Sequence, residues 1–278
     1  NVASQTLSGI NNGYEAWSNP ITINQFGNNN EASQMFHSTG SWTYGNSGLI
    51  TQEGDGNMGK QEVSGWKTIA EIDQQGDRNE ATQEVTGESN DIWVQQQGLI
   101  NYSSQEIQGI HNTAHLRHAH GDANESDQLI KGQGNWVEAV LAGSRNHSSQ
   151  EAIGDNNFQY YSATNHVLEN DVSIVQHGDN NYSRSIVRNK QGFNNDLDVL
   201  QEGNDNSLTT EQHNGNNNSI VAIQSGNSNW AGQHPWQKYV GIFQDGSNNA
   251  ATLNQLSNHN RATIHQIGNG NTATTIQQ

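Results

Sequence analysis

Four histidines lie close together in the segment HNTAHLRHAHGD, at His111, His115, His118 and His120. Imidazole nitrogens bind zinc and copper, so these side chains would form a metal site if they converged. In a β-strand, however, alternate residues point to opposite faces, which separates His115 from His118. The spacing therefore favours a polar corner with no metal or cofactor, and metal binding is the alternative for the segment from His111 to His120.

Aspartates recur in short G-D-x-N segments, which could bind calcium. Calcium takes six to eight oxygen ligands, several of them from carboxylates, and each segment offers a single carboxylate. Aspartate in a turn commonly caps its own backbone. We therefore interpret these residues as turn caps; they are Asp55, Asp77, Asp122, Asp155 and Asp179.

Carboxylates that could act in acid–base catalysis are spread along the chain at outward or corner positions, such as Glu80, Glu84 and Glu88. No nucleophile motif accompanies them in a recognisable structural context. A thin, regular fold would also offer no evident pocket. The sequence therefore predicts a protein that is not an enzyme.

Four tryptophans, Trp42, Trp66, Trp93 and Trp136, fall at corner, outward or irregular positions. Exposed aromatic side chains can mark surfaces that contact a neighbouring molecule. They are also common on outer sheet faces because aromatic residues favour strands. Both interpretations are open.

The element that must position these residues is a repeat with an 11-residue period. Glycine recurs at Gly76, Gly87, Gly98 and Gly109, and asparagine follows each glycine after three residues. Every second residue from one asparagine to the next glycine belongs to one series, as in Asn79-Ala81-Gln83-Val85-Gly87. Alternation over nine residues predicts a strand, and the two residues after a glycine with positive φ predict a corner.

An 11-residue period can also indicate a right-handed coiled coil. That fold needs apolar residues three and four apart, and it would place glycine repeatedly inside a helix at a cost of about 1 kcal/mol each. The period-2 alternation excludes it. We predict an all-β, two-sheet β-solenoid with about 22 residues per coil, in which Gln74 stacks near Gln96 and Val85 near Ile107.

Stacking explains why amides occupy inward positions. A buried primary amide costs a few kcal/mol unless it is paired, but it can hydrogen-bond to an identical amide in the next coil, about 4.8 Å away. We expect irregular or longer corners where the frame slips, near residues 38–48, 118–121, 160–170 and 189–192, and a weak repeat at 232–243. Otherwise we expect one repeat domain over residues 1–278.

The candidate functional residues are the inward amides and the corner glycines. They are Gln25, Gly27, Asn30, Gln52, Gly54, Asn57, Gln74, Gly76, Asn79, Gln83, Gly87, Asn90, Gln96, Gly98, Asn101, Gln105, Gly109, Asn112, Gln128, Gly132, Asn135, Gln150, Gly154, Asn157, Gln176, Gly178, Asn181, Gln201, Gly203, Asn206, Gln224, Gly226, Asn229, Gln244, Gly246, Asn249, Gln255, Asn260, Gln266, Gly268 and Asn271.

The composition argues against several classes of protein. Of 278 residues, 30% are hydrophobic, cysteine is absent, and the formal net charge is −17. A persistent register argues against the disorder that such a composition usually indicates. The negative charge argues against nucleic acid as a partner. No apolar stretch approaches the ~20 residues of a membrane span, and a start at Asn1, already in register, leads us to expect a processed mature protein.

The motif Q-x-G-x-x-N-x-A resembles the repeat of the curlins, the subunits of bacterial curli amyloid fibres. It occurs at Gln74-Gly76-Asn79-Ala81, and Gln83 follows Ala81 after one residue, where the full curlin pattern has three. Further copies begin at Gln25, Gln224, Gln244 and Gln266. The resemblance covers nearly the whole chain, although the best-known curlins have about five repeats and this chain has room for about twelve coils.

The resemblance implies an exported matrix protein that folds as it joins a fibre, with an outer-membrane secretion channel and a nucleator subunit as partners. It implies an extracellular, cell-surface location and a role in biofilm and adhesion, with head-to-tail homopolymerisation. The alternative from another class is a monomeric β-solenoid that binds ice or glycans. A third is a polysaccharide-degrading β-helix enzyme.

Overall fold

A computed structural model describes residues 1–9, 21–38, 45–188, 193–232 and 241–278. All regular elements in these ranges are β-strands, 25 in number. No helix among the described residues has the length and apolar character needed to cross a membrane. The strands are β1 (Val2–Gly9), β2 (Thr22–Phe26), β3 (Glu31–Ser38), β4 (Ser47–Glu53), β5 (Met58–Trp66), β6 (Ile69–Gln75), β7 (Glu80–Glu88), β8 (Asp91–Gln97), β9 (Tyr102–Ile110), β10 (Thr113–Ala119), β11 (Glu125–Gln133), β12 (Trp136–Ser144), β13 (His147–Ile153), β14 (Phe158–Leu168), β15 (Asp171–His177), β16 (Tyr182–Arg188), β17 (Asp196–Glu202), β18 (Ser207–His213), β19 (Ser219–Ser225), β20 (Trp230–Ala231), β21 (Ile242–Asp245), β22 (Ala250–Gln255), β23 (Arg261–Ala262), β24 (Ile264–Ile267) and β25 (Thr272–Gln277).

The chain forms two compact units, Asn1–Asn135 and Trp136–Gln278. The first unit contains sheet A, in the order β1-β3-β5-β7-β9-β11, and sheet B, in the order β2-β4-β6-β8-β10. Neighbouring strands of each sheet run parallel. Because consecutive strands alternate between the two sheets, one strand of each sheet makes one coil.

The alternating sequence of each strand decides which side chains are buried. In β8, Ile92, Val94 and Gln96 are buried, whereas Trp93 between them points outward. The register aligns Gln74 with Gln96 and Val85 with Ile107, as predicted. Identical inward residues therefore stack on one another along the sheet.

The second unit repeats this architecture. Its sheet C has the order β13-β15-β17-β19-β22-β25. In its sheet D the order begins β12-β14-β16-β18, after which β20 and β23, and separately β21 and β24, continue the stack. The core of this unit is more apolar and includes Leu141, Tyr161, Leu197 and Leu208.

The predicted frame slips appear as longer coils. Asn101 and Asn124 stack although they are 23 residues apart, which places one extra residue near 118–121. Asn146 and Asn170 stack at a separation of 24, and the register of β12 against β14 shifts between Leu141 and Gly143. The irregularities predicted at 189–192 and for most of 38–48 and 232–243 lie outside the described residues.

The predicted fold class, an all-β solenoid of two parallel sheets, is confirmed in each unit. The expectation of one repeat domain over 1–278 stays a prediction.

Candidate functional site

Stacked glutamines form two hydrogen-bonded ladders in the interior of the first unit. In each, the Nε2 of one glutamine donates to the Oε1 of the glutamine in the next coil. The N···O distances are 2.7–3.0 Å in sheet A and 2.8–2.9 Å in sheet B. The sheet A ladder contains Gln5, Gln34, Gln61, Gln83, Gln105 and Gln128, and the sheet B ladder contains Gln25, Gln52, Gln74 and Gln96.

Each ladder amide also ties the two sheets together. Besides donating to Gln96, Gln74 Nε2 donates to the carbonyl oxygen of Met58 in sheet A, at 2.9 Å. Gln83 Nε2 donates to the carbonyl of Glu71 in sheet B, at 3.0 Å. Both N–H groups and the oxygen of a ladder amide are thus paired, which removes the desolvation penalty of burying it.

Asparagines at the strand starts form a second set of columns. The backbone N–H of Asn79 donates to Asn57 Oδ1 at 3.0 Å, and Asn79 Nδ2 donates to the carbonyl of Gly98 at 2.9 Å. Such an asparagine side chain therefore hydrogen-bonds to two backbone groups, the N–H at a strand start and the carbonyl at a corner. In sheet B, Thr68 occupies one column position, where its N–H donates to Asn46 Oδ1 at 3.0 Å.

The corners require left-handed backbone at two positions. Gly76 has φ = 113° and Arg78 has φ = 57°. A Cβ on Gly76 would collide with the carbonyl oxygen of Gly98 in the next coil, so only glycine fits there. At Arg78 the left-handed conformation is sparsely populated by ordinary residues but sterically open.

The corner aspartates form a third column, and here the predicted partner was wrong. Asp77 Oδ1 accepts a hydrogen bond from the backbone N–H of Asp55 in the preceding coil, at 2.8 Å, and Asp55 Oδ1 accepts from Asn28 N–H at 2.7 Å. Because the corners stack in register, the N–H of the neighbouring coil lies within reach of the carboxylate. These side chains cap the backbone of the neighbouring coil and not, as predicted, that of their own turn.

The second unit has similar columns, with glutamine ladders in both sheets. They contain Gln176, Gln201, Gln224, Gln255 and Gln277 in sheet C, and Gln212, Gln244 and Gln266 in sheet D. Gln150 lies opposite Ile174 in β15, so no glutamine follows it in that direction. Its Nε2 donates instead to the carbonyl of Glu138, at 3.2 Å.

The other predicted residues lie in the columns and corners. The predicted glycines all have positive φ, from 104° at Gly203 to 141° at Gly109. The predicted asparagines all take part in the asparagine columns. The candidate set omitted Gln5, Gln34, Gln61, Gln212 and Gln277, although each stands four or six residues after its asparagine, which is the signal that would have found them.

His118 ends the sheet B glutamine ladder of the first unit. It lies opposite Gln96, is fully buried, and neither ring nitrogen has a hydrogen-bond partner among the described residues. Burial lowers the pKa of His118 to about 3. Gln96 Nε2 turns instead to Ser103 Oγ, at 2.8 Å.

The histidine segment is divided between the two faces of β10. His115 points outward, with its ring edge-on to Trp93 at 5.9 Å between centroids, whereas His118 points into the interior. The opposite orientation of these two histidines follows the predicted alternation, so these two imidazoles do not converge.

The outer face of sheet D carries a row of aromatic side chains. Trp136 and Phe158 lie 4.4 Å apart between ring centroids, and Phe158 stacks on Tyr182 at 4.8 Å. In the first unit, Lys67 Nζ lies 4.9 Å from the ring centroid of Trp66. Trp42 lies outside the described residues.

These features define a class of protein: a parallel β-solenoid whose interior is held by stacked amides and whose regular corners place glycine at one position. Two segments of the chain, residues 70–98 and 215–256, match the family described as curlin associated repeat. These two segments confirm the resemblance to the curlins. No curated protein matches the chain.

Proposed function

We propose that this protein is a structural subunit of an extracellular, curli-like functional amyloid fibre, in which copies join head to tail. The curlin repeats and the β-solenoid support a structural role over an enzymatic one. The fibre would serve as biofilm matrix and in adhesion.

The observation that carries the proposal is the direction of the glutamine ladders. Every Gln–Gln bond of the interior ladders runs from the Nε2 of the earlier residue to the Oε1 of the later one. The first coil therefore presents amide oxygens at its outer edge, at Gln5 and Gln25, and the last coil presents amide N–H groups, at Gln266 and Gln277. Two such edges are complementary, and stacking amides across them would repeat the bond found inside each unit.

Exposed strand edges support the same proposal. β1 and β25 each pair with a single strand among the described residues, β3 and β22 respectively. An unpaired edge strand is a template for adding another chain, and soluble proteins usually protect it. By family resemblance, we further propose a nucleator subunit and an outer-membrane secretion channel as partners, with no role for nucleic acid.

Electron microscopy of the purified chain after incubation tests the proposal. We expect unbranched fibres that bind an amyloid dye and give the ~4.8 Å cross-β reflection along the fibre axis. The Gly76→Val variant serves as the matched control and should form fewer fibres. Uniform monomers from the unaltered chain would reject the proposal in favour of a monomeric binding module.

A further inference from the structure

The first and last coils among the described residues carry the parts of one more glutamine ladder. Inside each unit, a ladder amide uses one N–H across to the other sheet and the second along the ladder. Gln255 illustrates this, since its Nε2 donates to the carbonyl of Trp230 at 3.3 Å and to Gln277 Oε1 at 2.8 Å. A continuing ladder therefore needs a free N–H on one edge and a free Oε1 on the other.

Gln277 at the last strand and Gln25 at the second strand meet this requirement. Gln277 Nε2 donates across to the carbonyl of Arg261 at 2.8 Å, which leaves its second N–H directed at the open edge. Gln25 Nε2 already donates to the carbonyl of Val2 at 3.1 Å and to Gln52 Oε1 at 2.8 Å, so its oxygen faces the other edge. No donor to that oxygen is found in the described residues.

Both residues also occupy the same position within their strands. Gln277 stands six residues after Asn271, and Gln25 stands two before Gly27, as Gln74 stands two before Gly76. Gln5 differs, because it stands four residues after Asn1. A glutamine in one position can stack only on a glutamine in the same position, since the coils are in register.

Resting on the proposed fibre, we propose a specific joint between two copies of this chain: β2 of one copy pairs with β25 of the other, and β1 pairs with β24. Sheet B of one copy then continues sheet C of the other, and sheet A continues sheet D. Gln277 Nε2 donates to Gln25 Oε1 of the next copy, which extends the sheet C ladder into the sheet B ladder.

Coil geometry favours this joint over the one in which β1 pairs with β25. Within each unit, every strand pairs with the strand one full coil later, such as β1 with β3 and β22 with β25. β25 follows β24 by half a coil. If β1 stacked on β25, β2 would lie two coils beyond β24, and a strand position would be left empty between them. In that joint Gln277 would also face Leu7, which cannot accept its N–H.

The proposed joint is complete in one ladder and incomplete in the other. Gln266, six residues after Asn260, would face Leu7, and Gln5 would face Ile264, four residues after Asn260. The joint would therefore hold fewer amide bonds than a pair of coils inside the chain. Fibres should break at joints before coils separate within a subunit.

Disulfide trapping distinguishes the joints, because the chain contains no cysteine. In the proposed joint, Asn24 lies beside Ile276 of the neighbouring copy; if β1 paired with β25, Thr6 would lie beside Ile276. All three side chains are exposed. Parallel in-register strands lie about 4.8 Å apart, within the Cα separation that a disulfide needs.

The experiment assembles two double variants under reducing conditions and then oxidises the fibres. We expect Asn24→Cys with Ile276→Cys to give a ladder of covalent oligomers on a non-reducing gel, and Thr6→Cys with Ile276→Cys to stay monomeric. The reverse pattern, or fibres with neither cross-link, would overturn the joint but leave the fibre standing. Absence of fibres from the unaltered chain would overturn both proposals.

A double-mutant cycle covers the case in which the cysteine variants do not assemble. We expect Gln25→Leu and Gln277→Leu each to slow elongation about tenfold, and the double variant to be slowed by much less than the product of the two, because both remove the same bond across the joint. If each single variant is slowed about tenfold and the double variant about a hundredfold, the pairing of Gln25 with Gln277 would be overturned. Gln25→Leu with Gln266→Leu is the matched control, whose effects should multiply.

Discussion

Sheet A and sheet D both bury polar side chains in their interiors, but they differ in how completely these side chains are hydrogen-bonded. In sheet A, a glutamine stands in every coil from Gln5 to Gln128, and each ladder bond is made. In sheet D, the corresponding region from β14 to β16 holds Gln159, Tyr161 and Ser183. The Tyr161 hydroxyl, Gln159 Oε1 and Ser183 Oγ are buried without hydrogen-bond partners among the described residues.

The difference shows what identical stacking achieves. An amide placed above an identical amide finds donor and acceptor at the right height, whatever its neighbours are. Side chains of different length, such as Tyr161 beside Ser185 in the next strand, have polar atoms at different depths, so their bonds are lost. Sheet D compensates with apolar burial, and this burial also raises the pKa of the Tyr161 hydroxyl.

The largest effect should come from the corners, which both regions share. Gly76→Val would place a β-branched side chain at φ = 113° and against the Gly98 carbonyl. We expect it to abolish or strongly delay assembly and to cost at least ~3 kcal/mol of stability. Arg78→Ala is the matched control; Arg78 is exposed, and alanine meets the same left-handed backbone, so dye-monitored kinetics should barely change. Similar delays in both variants would contradict the corner assignment.

A paired substitution tests the comparison between the sheets directly. Gln83→Leu would leave Gln61 Nε2, Gln105 Oε1 and the Glu71 carbonyl without their partners, and we expect a loss of about 3 kcal/mol in the free energy of unfolding. Tyr161→Phe removes a hydroxyl that has no partner, so it should be neutral or stabilising by about 1 kcal/mol. Chemical denaturation measures both, and equal losses would show that stacking identity is unimportant.

His118→Gln should make the sheet B ladder resemble that of sheet A. The pKa of His118 is lowered to about 3 by burial, so below about pH 6.5 the unfolded chain binds a proton that the folded chain refuses. This residue therefore lowers stability as pH falls from about 6.5 towards 3, by up to ~1.4 kcal/mol per pH unit. The glutamine variant should lose that part of the pH dependence in denaturation measured at pH 7, 5 and 4. An unchanged slope would mean that His118 is accessible to protons in the folded chain.

The smallest effect should come from the outer faces. Glu62, Glu84 and Glu106 stack in register on the outer face of sheet A, whereas Val175 and Leu200 are paired on that of sheet C. We expect Glu84→Gln to speed elongation a few-fold at low ionic strength, and added salt or lower pH to speed the unaltered chain similarly, because both weaken repulsion. Val175→Thr is the uncharged control. A rate indifferent to salt would show that repulsion does not limit assembly.

The sequence predicts the repeating part of this fold well, because burial and period specify it. Alternation from Asn79 to Gly87 fixes the strand and its buried face, and the glycine at a regular corner fixes the turn. The partner of Asp77 was missed because turn chemistry within one coil says nothing of the coil beside it. The frame of Gln150 is regular, but continuing a ladder beyond it also needs glutamine in the next coil, where Ile174 stands.

The two kinds of amide column have a consequence for the electric dipole along a stack. Glutamine ladders donate towards later coils, as Gln74 does to Gln96, so their carbonyl groups point towards earlier coils. Asparagine columns accept on Oδ1 from later coils, as Asn57 does from Asn79, so their carbonyl groups point the opposite way. The dipoles of the two columns therefore oppose each other. A stack can grow coil by coil with each column polarised along its own direction, while the field that would build up along a single column is largely cancelled by its neighbour.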